Sequence, residues 1–101
     1  MNNEIKRISE IFEGGFFPDT EKIDLKEIID KDIVILDAIF FVNQWNKEAV
    51  VFKFRFEGGI YEYSTVSSSQ SIVKKLKFAK EKGALPCIGK VIKVKNYFDI
   101  V

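Results

Sequence analysis

The period of hydrophobic positions changes near residue 32, which divides the chain into two parts of different character. Before that point, four apolar residues recur at helical spacing, namely Ile5, Ile8, Ile11 and Phe12. Such spacing predicts a narrow amphipathic helix, and the glycine pair at 14–15 ends it. Asp24 then precedes Leu25 and is placed to cap a short helical turn. The sequence therefore predicts a helical N-terminal extension over residues 1–24.

From residue 32 onward the pattern is that of β-strands. Residues 33–42 form an apolar run rich in β-branched and aromatic side chains, typical of a long and mostly buried strand. Residues 49–56 alternate between apolar and polar positions, which predicts a half-buried strand. The glycine pair 58–59 favours a two-residue hairpin turn, and residues 60–66 return as a third strand. Three pairs then face each other across the hairpin: Phe54 and Tyr63, Phe56 and Tyr61, and Arg55 and Glu62.

A helix and two more strands complete the predicted elements. Ser67 followed three residues later by Gln70 fits a capping box, which predicts a helix over about residues 68–82. Its apolar positions define one buried face, and most of its lysines fall elsewhere. A fourth strand is predicted over residues 88–95, and a tight turn connects it to a fifth over residues 97–101.

The order of these elements favours one fold class. Three strands, a helix and two strands are the order of the OB-fold, a five-stranded antiparallel and partly open barrel. An SH3-like barrel usually lacks a full helix at that point, and a ferredoxin-like fold needs a helix between its first two strands. The expectation is therefore an all-β domain with one helix over residues 25–101, a five-stranded OB-fold barrel, preceded by the helical extension over residues 1–24.

The charge is balanced overall but uneven along the chain. The 101 residues carry a formal net charge of +1. Residues 1–43 hold ten acidic and five basic residues, whereas residues 44–101 hold eleven basic and five acidic ones. Such asymmetry is typical of a protein with one face for a polyanion, although lysines on exposed helices and edge strands also keep those surfaces soluble. Charge alone leaves both interpretations open.

The sequence lacks the residues that most catalytic sites require. With no histidine and a single cysteine, Cys87, it cannot build a Ser-His-Asp triad, an imidazole metal site or a cysteine zinc cluster. Asp30 and Asp32 could work as an acid–base pair, but they lie in a charged stretch where solvated carboxylates are the simpler interpretation. No catalytic residue, metal ligand or cofactor is therefore predicted, and the chain is expected not to be an enzyme.

Composition also bears on the compartment. The longest apolar run, residues 38–42, is far shorter than the roughly 18 residues of a membrane helix. The polar first residues argue against a cleaved signal peptide, and a lone cysteine suits a reducing compartment. We expect a cytoplasmic protein with no membrane partner.

Signals for binding are stronger than signals for catalysis. Single-strand nucleic-acid sites combine aromatic side chains, on which bases stack, with cations that follow the phosphates. OB-folds place such sites on the second and third strands and on the loops that bound them. Eight residues match both the type and the position: Trp45, Lys53, Arg55, Tyr61, Tyr63, Lys93, Lys95 and Tyr97.

These candidates also have structural interpretations. Tyr61 and Tyr63 share a predicted sheet face with core phenylalanines, so packing explains them about as well as stacking on bases. Arg55 has a predicted cross-strand partner in Glu62, which would be a weak surface ion pair. Trp45 lies between two polar residues and is hard to explain as a core residue.

Residues 31–101 resemble the small OB-fold single-stranded-DNA-binding proteins of phages, archaeal viruses and plasmids. The resemblance is carried by residues 31–35, 50–52, 58–65 and 69–76, and by Leu85-Pro86 together with residues 90–97 of the final hairpin. The resemblance implies sequence-tolerant binding of single-stranded DNA during replication or recombination, in the host cytoplasm if the protein is viral. Bacterial-type single-strand binders carry an acidic C-terminal tail, and we do not expect one after Ile100-Val101, so the resemblance does not extend to that feature.

Two other functions remain open. An OB-type protein-interaction module would use the same sheet with little dependence on phosphate, and an RNA-binding domain would have the same sequence pattern. The N-terminal helix could also hold a homo-oligomer together through its apolar stripe.

Overall fold

The structure is a computed structural model that describes residues 16–101. Its elements are the strands β1 (Glu21–Lys22), β2 (Asp32–Val42), β3 (Glu48–Phe56), β4 (Tyr63–Ser67), β5 (Cys87–Val94) and β6 (Tyr97–Ile100), with the α-helix α1 (Gln70–Glu81) between β4 and β5. A 3-10 helix, Leu25–Ile28, follows β1, and the Asp24 side chain caps it by accepting a hydrogen bond from the Lys26 amide. The predicted class, mostly β with one helix, is confirmed.

All six strands belong to one continuous order, β1-β4-β3-β2-β5-β6. Every neighbouring pair is antiparallel except β1 and β4, which are parallel. The sheet does not close between β4 and β6, so the expected five-stranded barrel is wrong. Hydrogen-bond partners explain the opening: β1 pairs with β4 at Tyr63 and Ser64, and side chains of α1 and its N-cap bind the free edge of β6.

β2 is the central strand and contains an irregularity. It pairs with β3 along most of its length and with β5 at residues 32–35. Its register shifts between Ile35 and Asp37, where the extra residue forms an irregularity of the β-bulge kind. A bulge bends a strand and increases its twist, which lets one strand pair on both edges with strands that diverge.

The core lies between the inner face of this bent sheet and α1. Phe52 and Phe54 on β3 are fully buried, and three helix residues pack on the same cluster: Ile72, Val73 and Leu76. Deleting a buried aromatic side chain from such a core typically costs about 3–5 kcal/mol. The inner positions of β3 alternate with Val51, Lys53 and Arg55 on the outer face, as the period of two requires.

The predicted hairpin and helix cap need correction. Phe54 faces Tyr63 as expected, but β3 ends at Phe56 and β4 begins only at Tyr63, so Tyr61 lies in a longer loop. The glycines still make a tight turn there, with the Gly59 amide donating to the Phe56 carbonyl. The helix N-cap is Ser69 rather than Ser67, and no side-chain capping bond forms.

The N-terminal extension also differs from expectation in its described part. Residues 16–24 contain a turn and β1 rather than a helix. The predicted apolar stripe Ile5, Ile8, Ile11 and Phe12 lies outside the described residues. Residues 16–20, hereafter the N-terminal strap, pack on the outer face of the sheet: Phe16 contacts Phe41 with ring centroids 5.6 Å apart.

Candidate nucleic-acid interface

The N-terminal strap partly covers the sheet face on which Lys53 and Arg55 were expected to bind phosphates. The Lys53 ammonium lies 5.5 Å from the centre of the Phe17 ring and 3.7 Å from a Glu62 carboxylate oxygen. Arg55 donates to the Gly59 carbonyl at 3.3 Å instead of pairing with Glu62 as predicted. Both cations therefore already have partners within the chain.

Hydrogen bonds anchor the strap on this face. The Thr20 hydroxyl bonds to the buried Ser64 hydroxyl of β4 at 2.7 Å and donates to the Phe17 carbonyl. The Lys22 ammonium donates to the carbonyls of Phe16 and Phe17 at 2.9 and 2.8 Å. Partial burial lowers the pKa of Lys22, yet its contacts with three oxygens hold the turn together.

The two tyrosines of the β3–β4 hairpin have different surroundings. Tyr63 lies on the inner side and packs against Phe54 and Phe56, with ring centroids 5.9 and 5.4 Å away, so it belongs to the core rather than to a stacking surface. Tyr61 is 70% exposed in the loop. Carboxylates surround it, because Asp19, Glu21 and Glu62 line the same concavity. Their charges disfavour a phosphate at this position.

Trp45 is 71% exposed, which agrees with its predicted place in a polar loop. The Asn43 side chain orders that loop by accepting hydrogen bonds from the amides of Trp45 and Lys47, each at 3.0 Å. Asn46 has a φ of 61°, a conformation that asparagine tolerates well. This loop follows the last residue of β2. The β5–β6 turn, by contrast, lies beyond the first residue of β2. Trp45 and the β5–β6 turn are therefore at opposite ends of the sheet.

The β5–β6 hairpin brings three predicted site residues together. β5 pairs with β2 only through Cys87–Lys90; Val91 also bridges to Ile29, and beyond it β5 pairs with β6 alone. Lys93 lies over the Phe98 ring at 5.3 Å, and Tyr97, which pairs with Val94, is 47% exposed. Lys95 is exposed in the turn with a φ of 48°.

An open groove lies between this hairpin and the end of β4, where the sheet fails to close. The groove has a volume of about 370 Å³, hereafter the β4–β6 groove. Its lining comprises Asp24, Leu25, Lys26, Val66, Ser67, Ser68, Ser69, Asn96, Tyr97 and Phe98. Sequence reasoning missed Lys26 and the serine hydroxyls here. The available signal in the sequence is the run of three serines before the helix, which by itself predicts a helix cap.

Ion pairing divides the lysines of the described residues into two sets, and Lys26 in the groove wall belongs to the set without a carboxylate partner. Among residues 16–101, five lysines lie within 4 Å of a carboxylate: Lys53, Lys75, Lys77, Lys80 and Lys90. Lys26, Lys93 and Lys95 have no such partner within that part of the chain. Asp24 is the carboxylate in the groove wall, and its oxygen is engaged with the Lys26 amide at 3.1 Å.

A second carboxylate near the hairpin is compensated. Asp99 on β6 pairs with Lys75 at 3.1 Å and accepts from the Ile100 amide at 2.8 Å. Partial burial alone would raise its pKa, but these hydrogen bonds and the Lys75 charge lower the pKa below its usual value. The negative charge of Asp99 is therefore balanced before any ligand approaches.

Other kinds of site find no support in the described residues. Within residues 16–101, no cluster of three or more cysteine, aspartate or glutamate side chains could hold a metal ion. No helix there has the length and apolar character needed to span a membrane. Burial raises the pKa of the Cys87 thiol, which leaves it protonated and a poor nucleophile.

Comparison with known proteins adds no relative. No family model, curated protein or solved structure matches this chain. Inferences about function therefore depend on the geometry and chemistry described above.

Proposed function

We propose that this protein binds single-stranded DNA without strong sequence preference, that it is not an enzyme, and that the β4–β6 groove is its binding site. The observation that carries the proposal is the exposed Tyr97 ring and Lys26 in the groove wall, next to Lys93 and Lys95 of the adjoining β5–β6 hairpin; all three lysines lack carboxylate partners among the described residues. This combination is the recurring chemistry of single-strand sites. A role in replication or recombination follows from binding of that kind.

Each part of the groove has a chemical task in this proposal. A base stacks on Tyr97, while Lys26, Lys93 and Lys95 neutralise phosphates on either side of it. The hydroxyls of Ser68 and Ser69 and the Asn96 amide are neutral donors and acceptors near the bases. Few fixed hydrogen bonds and a sequence-tolerant stacking surface suit a ligand whose base order varies.

The pairing of the strands supports an OB-type architecture. β2, β3, β4, β5 and β6 occur in the order of the five OB strands, with α1 between the third and the fourth. OB-folds are partly open, and the loop between their last two strands is one of the two that bind nucleic acid. The Lys95-Asn96 turn occupies that place in this chain.

The experiment is a fluorescence-anisotropy titration of a labelled oligothymidylate of roughly twelve nucleotides, within the usual OB footprint. Tyr97→Ala should weaken binding at least about fivefold, because base stacking is worth about 1–3 kcal/mol. The double variant Lys93→Gln/Lys95→Gln should reduce the slope of log affinity against log salt by about 1.4, roughly 0.7 for each phosphate contact. Thermal unfolding of each variant confirms that it is folded.

Two aromatic substitutions locate the site. Tyr61→Ala removes a more exposed tyrosine outside the groove, and Trp45→Ala removes the exposed tryptophan at the other end of the sheet. Both should bind as the parent does. Loss of affinity in these variants, with Tyr97→Ala unaffected, would instead place the site on the sheet face between the β2–β3 loop and β4.

Two alternative functions have distinct outcomes in the same assay. Preference for an oligouridylate over the oligothymidylate would identify an RNA-binding domain that uses the same groove. Failure of the parent protein to bind any single strand at low salt would contradict the proposal and favour an OB-type protein-interaction module.

A further inference from the structure

The solvent face of α1 carries an exposed aromatic ring between two lysines. Lys74, Phe78 and Lys82 are four residues apart, so they lie one above another on one face of the helix. Phe78 is 62% exposed, and the Lys82 ammonium lies 5.5 Å from the centre of its ring. We call these three residues the basic stripe. It repeats on a helix the combination of cation and aromatic ring found at the β4–β6 groove.

The other lysines of this helix are occupied. Lys77 forms an ion pair with Glu48, and Lys80 pairs with Asp37 at 3.1 Å and donates to the Ala38 carbonyl. These contacts fasten α1 to β2 and β3. Lys74 and Lys82 have no carboxylate within 4 Å among residues 16–101. Glu81 is the single acid of α1, and it lies among these lysines at the C-terminal end of the helix.

The basic stripe begins close to the β4–β6 groove. Ser69, the N-cap of α1, lines the groove and donates its hydroxyl hydrogen to the Phe98 carbonyl of β6. Lys75, next to Lys74, pairs with Asp99 on β6, so this side of the helix faces the hairpin. At about 1.5 Å per residue, Phe78 lies about 14 Å and Lys82 about 20 Å from Ser69 along the helix axis.

We infer that the basic stripe extends the binding site, so that a single-stranded nucleic acid leaves the groove at Ser69 and runs along the exposed face of α1. This inference rests on the proposed function, and it adds the path and the length of the ligand. Charge complementarity selects the occupant, because unpaired lysines on both sides of an exposed ring suit alternating phosphates and bases. With at least 3.4 Å per nucleotide, the 20 Å track accommodates at most about six nucleotides beyond the groove.

Oligomer length is the variable that tests this path. An oligothymidylate of about four nucleotides fills the groove alone, whereas one of about twelve also covers the helix. The parent protein should bind the longer oligomer more tightly and with a steeper salt dependence. Lys74→Gln/Lys82→Gln should reduce the salt slope for the longer oligomer by about 1.4 and leave that of the shorter one unchanged. Phe78→Ala should weaken only the longer oligomer, by about fivefold or more.

A charge-matched variant provides the control. Lys77→Gln/Lys80→Gln removes the same two charges from the same helix but on the faces that pair with Glu48 and Asp37. It should leave both slopes near those of the parent, with circular dichroism to confirm the fold. Equal losses in the two double variants, or an unchanged affinity of the stripe variants for the longer oligomer, would overturn the inference while leaving groove binding intact. A parent that binds neither oligomer refutes the proposed function itself, and this inference with it.

Discussion

At the scale of single residues, one buried hydroxyl pair determines where the N-terminal strap lies. Ser64 is fully buried on the outer side of β4, and its hydroxyl bonds to Thr20 at 2.7 Å. The Ser64 carbonyl also accepts from the Ile23 amide at 3.0 Å, which continues the contact made by β1. Without the strap, this serine hydroxyl would have to face water.

Removing one hydroxyl of this pair should lower the free energy of unfolding more than removing both hydroxyls. Thr20→Val leaves the Ser64 hydroxyl buried and unsatisfied, which typically costs about 1–3 kcal/mol of unfolding free energy. Adding Ser64→Ala removes the unsatisfied hydroxyl, so the double variant should recover part of the lost unfolding free energy. Urea unfolding of the parent, the two single variants and the double variant measures the coupling. Additive losses would show that the two hydroxyls do not stabilise one another.

At the scale of elements, a lysine of α1 fixes the irregular point of β2. Asp37 follows the register shift, accepts from the Ala38 amide at 2.8 Å and pairs with Lys80 at 3.1 Å. Lys80 also donates to the Ala38 carbonyl. Partial burial would raise the pKa of Asp37, but these hydrogen bonds and the charge of Lys80 lower it overall. Helix and strand are therefore joined by a carboxylate that is ionised when folded.

The sign of the resulting pH dependence follows from this shift. A carboxyl whose pKa is lower in the folded than in the unfolded state stabilises the fold at pH values above the unfolded-state pKa, about 3.9. This contribution is lost as the pH falls through the folded-state pKa. Stability should therefore decline below about pH 4. Asp37→Asn should make that decline shallower, measured as urea midpoints from neutral to acid pH. A parallel decline in parent and variant would assign the effect to other groups, such as Asp99.

Elements with a strong internal pattern were predictable, and those that depend on distant partners were not. The apolar run over 33–42 and the alternation over 49–56 gave two strands within a residue of their observed bounds. β1 has only two residues, so it has no period, and its pairing with β4 depends on contacts 42 positions away. The same limit applies to the groove, because its walls come from three separate segments. Sequence patterns predicted Tyr97 as a candidate, but they could not show that the serines before α1 lie in the same groove.

At the scale of the whole molecule, the strap and the groove are separable. A chain beginning at Ile23 lacks Thr20, β1 and the cover over Lys53, yet it retains every residue of the groove. Its unfolding free energy should fall by at least about 0.5–1.5 kcal/mol, the usual net worth of one hydrogen bond, because the Thr20–Ser64 hydrogen bond is lost. Its affinity for single-stranded DNA should equal that of the full chain, measured by anisotropy below its melting temperature. A folded truncation that no longer binds would make the N-terminal segment part of the site.

The half of the β5–β6 hairpin that extends beyond β2 also affects local opening of the fold. The carboxyl-terminal Val101 exchanges two backbone hydrogen bonds with Lys90, each 2.9 Å long, and this clamp lies at the base of the hairpin. Beyond Val91, two strands hold each other without a third, and such ribbons have little independent stability in water. The tip can therefore open while the body stays folded, and amide protons there exchange with solvent first. A ligand that binds Lys93 and Tyr97 would require the closed form of this tip. Part of its binding free energy would therefore be used to suppress local opening.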